Sequence, residues 1–217
     1  MVEWAATTIN VKSVDWNGKQ ITIPNVPAEE NTKTKKIRVN PDDVILAEFR
    51  KIAQDLGIYD RDILLFLLLY AKPGPFQRGF LCQKYKVNKM LFYQWKESEK
   101  EGLGDAIPRD EFEVEDRGPV PKNLWKDLKR LKGEGLVKVE GGRKEQKAVT
   151  IELTKNGAEI AEKLWNRTPD PYLVTTTRVK DWLFPEDPET IKHIVHKDYP
   201  EYRKAYSVAD KEERLKI

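Results

Sequence analysis

Apolar and polar positions divide this chain into regions of different period. Ile9–Val14 and Lys19–Ile23 alternate at a period of two around Asn17-Gly18, the strongest short signal for a β-hairpin. Residues 24–36, PNVPAEENTKTKK, are polar and proline-bearing and read as loop, with Ile37–Val39 as a third short strand. The period then changes. Val44, Ile45, Phe49, Ile52 and Leu56 make a helical stripe that opens on Asn40-Pro41 and closes on Gly57. Residues 60–72 form a second helix, apolar on nearly every side over Ile63–Tyr70, and Pro73-Gly74-Pro75 stops it. Residues 76–101 read as one or two aromatic-rich helices, and an acidic connector follows to Gly118-Pro119-Val120-Pro121.

Beyond the connector, Leu124, Leu128 and Leu131 lie at i, i+4 and i+7 and define a helix over 121–132. Leu136, Val137 and Val139, then Val149, Ile151 and Leu153, are the arms of a second hairpin with a glycine-rich, charged tip. Thr154 is placed to cap a helix over 156–165. Residues 166–217 are broken by Pro169, Pro171, Pro185 and Pro200 into short helices near 177–183, 188–197 and 201–214. The pattern predicts an α+β fold, mainly helical. It has an N-terminal hairpin extension (1–39), a central domain (40–165) and a C-terminal helical arm (166–217) rich in aromatic residues.

Composition narrows the class. The 217 residues are 35% charged, and the longest apolar run, eight residues, is too short to span a bilayer. No secretory leader is visible, and the single cysteine, Cys82, allows no intrachain disulfide, so a cytoplasmic protein without membrane contact is expected. Abundant Lys, Glu and Arg with few Cys and Met resemble a thermophile's composition. Net charge is only +3, but it is sorted along the chain: residues 118–147 hold nine Lys/Arg against four Asp/Glu, whereas 104–117 hold six acids against two arginines.

The basic segment coincides with the 121–132 helix and the second hairpin. Core helix, helix, basic helix, basic-tipped hairpin and capped helix together resemble the winged helix-turn-helix of DNA-binding regulators over about 58–165. Leu153-Thr154-Lys155-Asn156-Gly157 is similar to the way many of those wings end. The resemblance implies a regulator, bound as a homodimer to double-stranded DNA. In that reading Lys122, Asn123, Lys126, Lys129 and Arg130 on the helix, and Arg143, Lys144 and Lys147 at the wing, contact DNA. Asn123, Lys126 and Arg130 point outward to base edges, and the remaining lysines neutralise phosphate. Taken singly, such a helix or tip is ordinary solvated surface. An ordinary helix-turn-helix joins its helices by a few residues, and the acidic connector is longer.

That stretch has a second resemblance. Lys89-Met90-Leu91-Phe92-Tyr93, Asp110-Glu111-Phe112-Glu113 and Arg117-Gly118-Pro119-Val120-Pro121 look like the Panacea family of phage-associated antitoxins, which implies a protein partner held through 104–117. Other chemistry is weakly signalled. His193 and His196 share a helix face, Cys82 has no activating motif, and Asp110, Glu111 and Glu113 fit a solvated connector better than a nuclease. No phosphate loop, nucleophile elbow or ligand cluster stands out. The expectation is a non-enzyme without cofactor or metal.

Overall fold

The computed structural model describes residues 4–14, 20–71, 82–103, 111–115, 118–142 and 147–202. The first hairpin is longer than its alternation suggests. Strand β1 (Trp4–Val14) pairs antiparallel with β2 (Gln20–Asn31), with a bulge between Ile9 and Val11, and β3 (Ile37–Arg38) adds at Glu29 and Glu30. The loop expected over 24–36 is therefore half strand. Pro24 and Pro27 fall where β2 has a neighbour on one side only, the setting in which a strand tolerates a missing N–H. The Asn17-Gly18 turn lies outside the described residues.

Helix α1 (Pro41–Leu56) starts and stops where its caps place it. Asn40 Oδ1 accepts from the Asp42 N–H at 3.1 Å, and Gly57 closes the helix, its N–H bonded to Gln54 O at 3.2 Å. A 3₁₀ turn, Asp60–Asp62, leads into α2 (Ile63–Tyr70), in which Ile63 through Leu69 are all buried. A helix apolar all round belongs at the centre of the core. It packs on α3 (Lys84–Lys100), on α5 (Lys155–Trp165) and on α6 (Asp170–Leu183).

Between α3 and α4 (Leu124–Gly133), the acidic connector contains a small hairpin that the sequence pattern does not reveal: β5 (Phe112–Glu115) paired with β6 (Gly118–Pro121). Two contacts fold it back onto α3. Phe112 stacks on Trp95 (centroids 5.4 Å, planes 7° apart), and the buried Lys89 Nζ donates to Pro119 O at 2.7 Å. Asp110 and Arg117 lie outside the described residues.

The second hairpin is present as β7 (Val137–Gly142) and β8 (Lys147–Leu153). A two-residue strand before α3, β4 (Cys82–Gln83), pairs with β8, so the sheet order is β4-β8-β7. Helix, short strand, helix, helix and a two-stranded wing is the winged-helix order, here with the β5–β6 hairpin inserted ahead of the last helix. The fold class is α+β, mainly helical, with a winged-helix core. Thr154 explains the turn after the wing: its Oγ1 accepts from the Gly157 N–H at 3.1 Å and donates to Gly135 O at 2.7 Å. A Cβ on Gly157 would sit 1.9 Å from Leu136 O, so only glycine lets α5 pass this close to the wing.

The C-terminal segment folds onto the core as α6, α7 (Pro188–Asp198) and a 3₁₀ turn, Pro200–Tyr202. Helix α6 begins seven residues earlier than the pattern suggests, directly after the Pro169 cap. Its Lys180 is buried, and Nζ donates to Leu68 O (2.7 Å), Leu69 O (3.2 Å) and Ala71 O, which satisfies the free carbonyls at the C-terminus of α2. Tyr172 packs edge-on against Phe49, and Tyr199 and Tyr202 pack against Phe92. Residues 203–217 lie outside the described residues. Among the described residues, no helix is long and apolar enough to cross a membrane.

Candidate nucleic-acid interface

Helix α4 has two faces with opposite chemistry. Its inner face carries Leu124, Leu128 and Leu131, as the spacing requires, together with Asp127, which is also buried. Asp127 is held bidentately by Arg61, Nε–Oδ2 at 2.8 Å and Nη2–Oδ1 at 2.7 Å. Beside it, Arg130 donates from Nη2 to the buried Asp62 Oδ2 at 2.5 Å and from Nη1 to Glu134 Oε2 at 3.0 Å, and lies 4.0 Å from the Tyr59 ring centroid. Burial pushes the Asp62 carboxyl above its usual range, and Arg130 opposes that shift. These pairs clamp α4 to the 3₁₀ turn ahead of α2.

This geometry corrects one expectation. Arg130 does not point outward to bases: its guanidinium is bonded into the clamp and its side chain is largely buried. Asn123 lies on the same flank, half-buried. Both positions precede or flank the leucine stripe, but the partners that draw Arg130 inward lie more than sixty residues away in sequence.

The outer face is different. Lys126, Lys129 and Lys132 are exposed and share one side of the helix, and Lys122, exposed in the turn just before it, extends the row. Lys126 and Lys129 have no ion-pair partner among the described residues. Lys122 reaches Glu111 at 3.1 Å, but both side chains are well exposed, so the pair is weak. Lys132 Nζ donates to Val139 O at 3.1 Å, which joins the end of the lysine row to the first wing strand. Within the row stands Trp125, 53% exposed, with Lys84 Nζ of α3 3.7 Å from its ring centroid. Sequence reasoning passed over both Trp125 and Lys84. The signal was available, because Trp125 lies off the 124/128/131 stripe and in register with Lys129 and Lys132.

On the wing, Gly141 takes φ +83 at the bulge between Glu140 and Gly142, and Lys138 pairs with Glu140 at 2.9 Å. Arg143 and Lys144 lie outside the described residues. Lys147 begins β8 opposite Gly142, and only its backbone is described. Among the described residues no group of three or more His, Cys, Asp or Glu is placed to hold a metal. His193 is exposed on α7, and His196 sits near Gly118 at the base of the inserted hairpin.

No family model matches the chain, and no curated protein matches it. Among solved structures it is similar to NadR in complex with 4-hydroxyphenylacetate, at 15% identity over 76% of this chain and 87% of that one, with a TM-score of 0.36. It is also similar to AbsC, a MarR family transcriptional regulator from Streptomyces coelicolor, at 15% identity over 73% and 82%, with a TM-score of 0.31. Likenesses this distant carry no functional argument. The winged-helix assignment rests on element order and strand pairing.

Proposed function

We propose that this chain is a DNA-binding protein of the transcriptional-regulator kind that docks on duplex DNA through the outer face of α4 and the wing. One observation carries the reading: four exposed lysines in a row along the helix before the wing and the turn that leads into it, tied at one end to the wing by Lys132. Such a row suits a phosphate backbone, and its ammonium groups position the helix without specifying sequence. Lys122, Lys126, Lys129 and Lys132 take the phosphate role, with Arg143, Lys144 and Lys147 extending it from the wing. Arg130 and Asp127 hold α4 from behind. The clamp holds the helix rigid, so the lysines meet DNA as a fixed array.

A homodimer belongs to the same proposal, since a dyad-symmetric site needs two such helices. The C-terminal arm turns Tyr172, Tyr199 and Tyr202 into its own core, which leaves the outer side of α6, with Val174 60% exposed, as the dimer surface. Sedimentation of the wild type and of Val174→Asp tests that part: a wild-type monomer at micromolar concentration removes it.

The test of DNA binding is fluorescence anisotropy on a labelled random duplex at low salt. The wild type binds with a Kd at or below about 1–100 μM, the ordinary non-specific range at physiological salt. The double variant Lys126→Glu/Lys129→Glu loses at least about tenfold while keeping the wild-type circular dichroism spectrum. Equal binding by the two proteins, or none by the wild type, refutes the reading.

A further inference from the structure

We infer that Trp125 is the base-reading side chain of this interface and that it packs against the C5-methyl group of a thymine in the major groove. The inference rests on the DNA-binding reading above and adds the sequence feature that the site recognises.

Trp125 is a large apolar group standing more than half in water, within a row of cations. The surrounding charge selects a polyanion as the occupant. The ring requires that this polyanion display something apolar. Duplex DNA offers one such group at the floor of its major groove, the thymine methyl. Position agrees: Trp125 is the second residue of α4, and it is the N-terminal residues of a recognition helix that meet base edges. Two of the expected hydrogen-bonding readers, Asn123 and Arg130, do not lie on this face. Arg130 is held by Asp62 and Glu134, and Asn123 is half-buried on the other flank.

The same geometry argues against a stacking platform for single strands. Those platforms present successive aromatic rings along a groove, whereas this row has one ring. The ammonium of Lys84 already lies over one face of it, 3.7 Å from the centroid. The exposed part of the ring remains for a methyl contact, and Lys84 is left beside the DNA backbone.

A randomised duplex library selected separately by the wild type and by Trp125→Ala tests the idea. The ring is half-exposed, so the variant should melt with the wild type, and Trp125→Phe serves as a second variant that keeps an apolar contact. The wild type should enrich a thymine at a fixed position that Trp125→Ala does not enrich. Replacing that thymine by uracil, which lacks only the methyl, should weaken wild-type binding about fourfold, the worth of one buried methyl-sized group. Trp125→Phe should keep some of that sensitivity and Trp125→Ala none. The inference is overturned if both proteins enrich the same motif, if the wild type selects no thymine or ignores the uracil exchange, or if Trp125→Ala loses more on single strands than on duplex. A wild type that retains no DNA at all would instead bring down the DNA-binding reading, and this inference with it.

Discussion

Helix α4 and helix α6 each set lysine near a tryptophan, and the protein uses the lysines in opposite ways. In α6, Lys180 is buried and its ammonium closes the C-terminus of α2 through three carbonyls. Along α4 and the turn before it, Lys122, Lys126, Lys129 and Lys132 stay exposed to water. The aromatic residues differ in what they meet: Trp182, 40% exposed, packs edge-on against Tyr93 at 5.0 Å, whereas Trp125, 53% exposed, has the Lys84 ammonium over its ring. Burying an ammonium is costly unless several acceptors replace its water, so Lys180 marks a place where structure required a charge. No such requirement accounts for the lysine row on α4, and that contrast directs attention to an external partner.

The comparison can be broken most severely at the clamp behind α4. Arg130→Ala would leave Asp62 as an unpaired carboxylate in the core, and stability should fall by about 3–5 kcal/mol; urea unfolding measures it. A loss below about 1 kcal/mol would return Arg130 to the solvent-facing set. Next, Lys180→Ala should cost about 3 kcal/mol by stranding the carbonyls at the end of α2, while Lys126→Ala/Lys129→Ala should stay within about 0.5 kcal/mol of the wild type. Similar losses in the two would erase the distinction between structural and free lysines.

A pH dependence is expected at Lys89, which is buried like Lys180. Burial pulls its ammonium down to about 7, against an opposing pull from Glu115. In the unfolded chain a lysine keeps its proton to about 10.4. Between those two values the unfolded state binds the extra proton, so Lys89 makes the fold more stable as pH rises from about 7 to about 10. Melting temperatures of the wild type and Lys89→Met, compared across that window, should show the wild type gaining on the variant. A constant difference would mean that Lys89 stays charged in the fold.

What the sequence shows and what it hides follow from the range of the interactions. Helix α1 was readable because Asn40, Pro41 and Gly57 act within a few residues of the ends they define. The turn after the wing was readable because Thr154 and Gly157 are three apart. The inserted hairpin was not, since Gly118-Pro119-Val120-Pro121 resembles a connector until Lys89, thirty positions earlier, bonds Pro119 O. Arg130 was misjudged for the same reason: a basic residue beside a leucine stripe looks solvated until Asp62 is brought beneath it. The inward turn of the aromatic C-terminal arm was hidden as well, because Phe92 and Phe49, far back in the chain, take up Tyr199, Tyr202 and Tyr172. Trp125 escaped notice because a tryptophan one place from a leucine stripe is easily counted with the core.

The central claim, that the α4 lysine row meets a phosphate backbone, is tested most directly by the salt dependence of duplex binding. Log K should fall linearly with log salt for the wild type. Replacing Lys122, Lys126, Lys129 and Lys132 by alanine should flatten the slope by about 3–4, near 0.9 for each released phosphate contact. An unchanged slope, with the variant folded and still bound, would contradict the account.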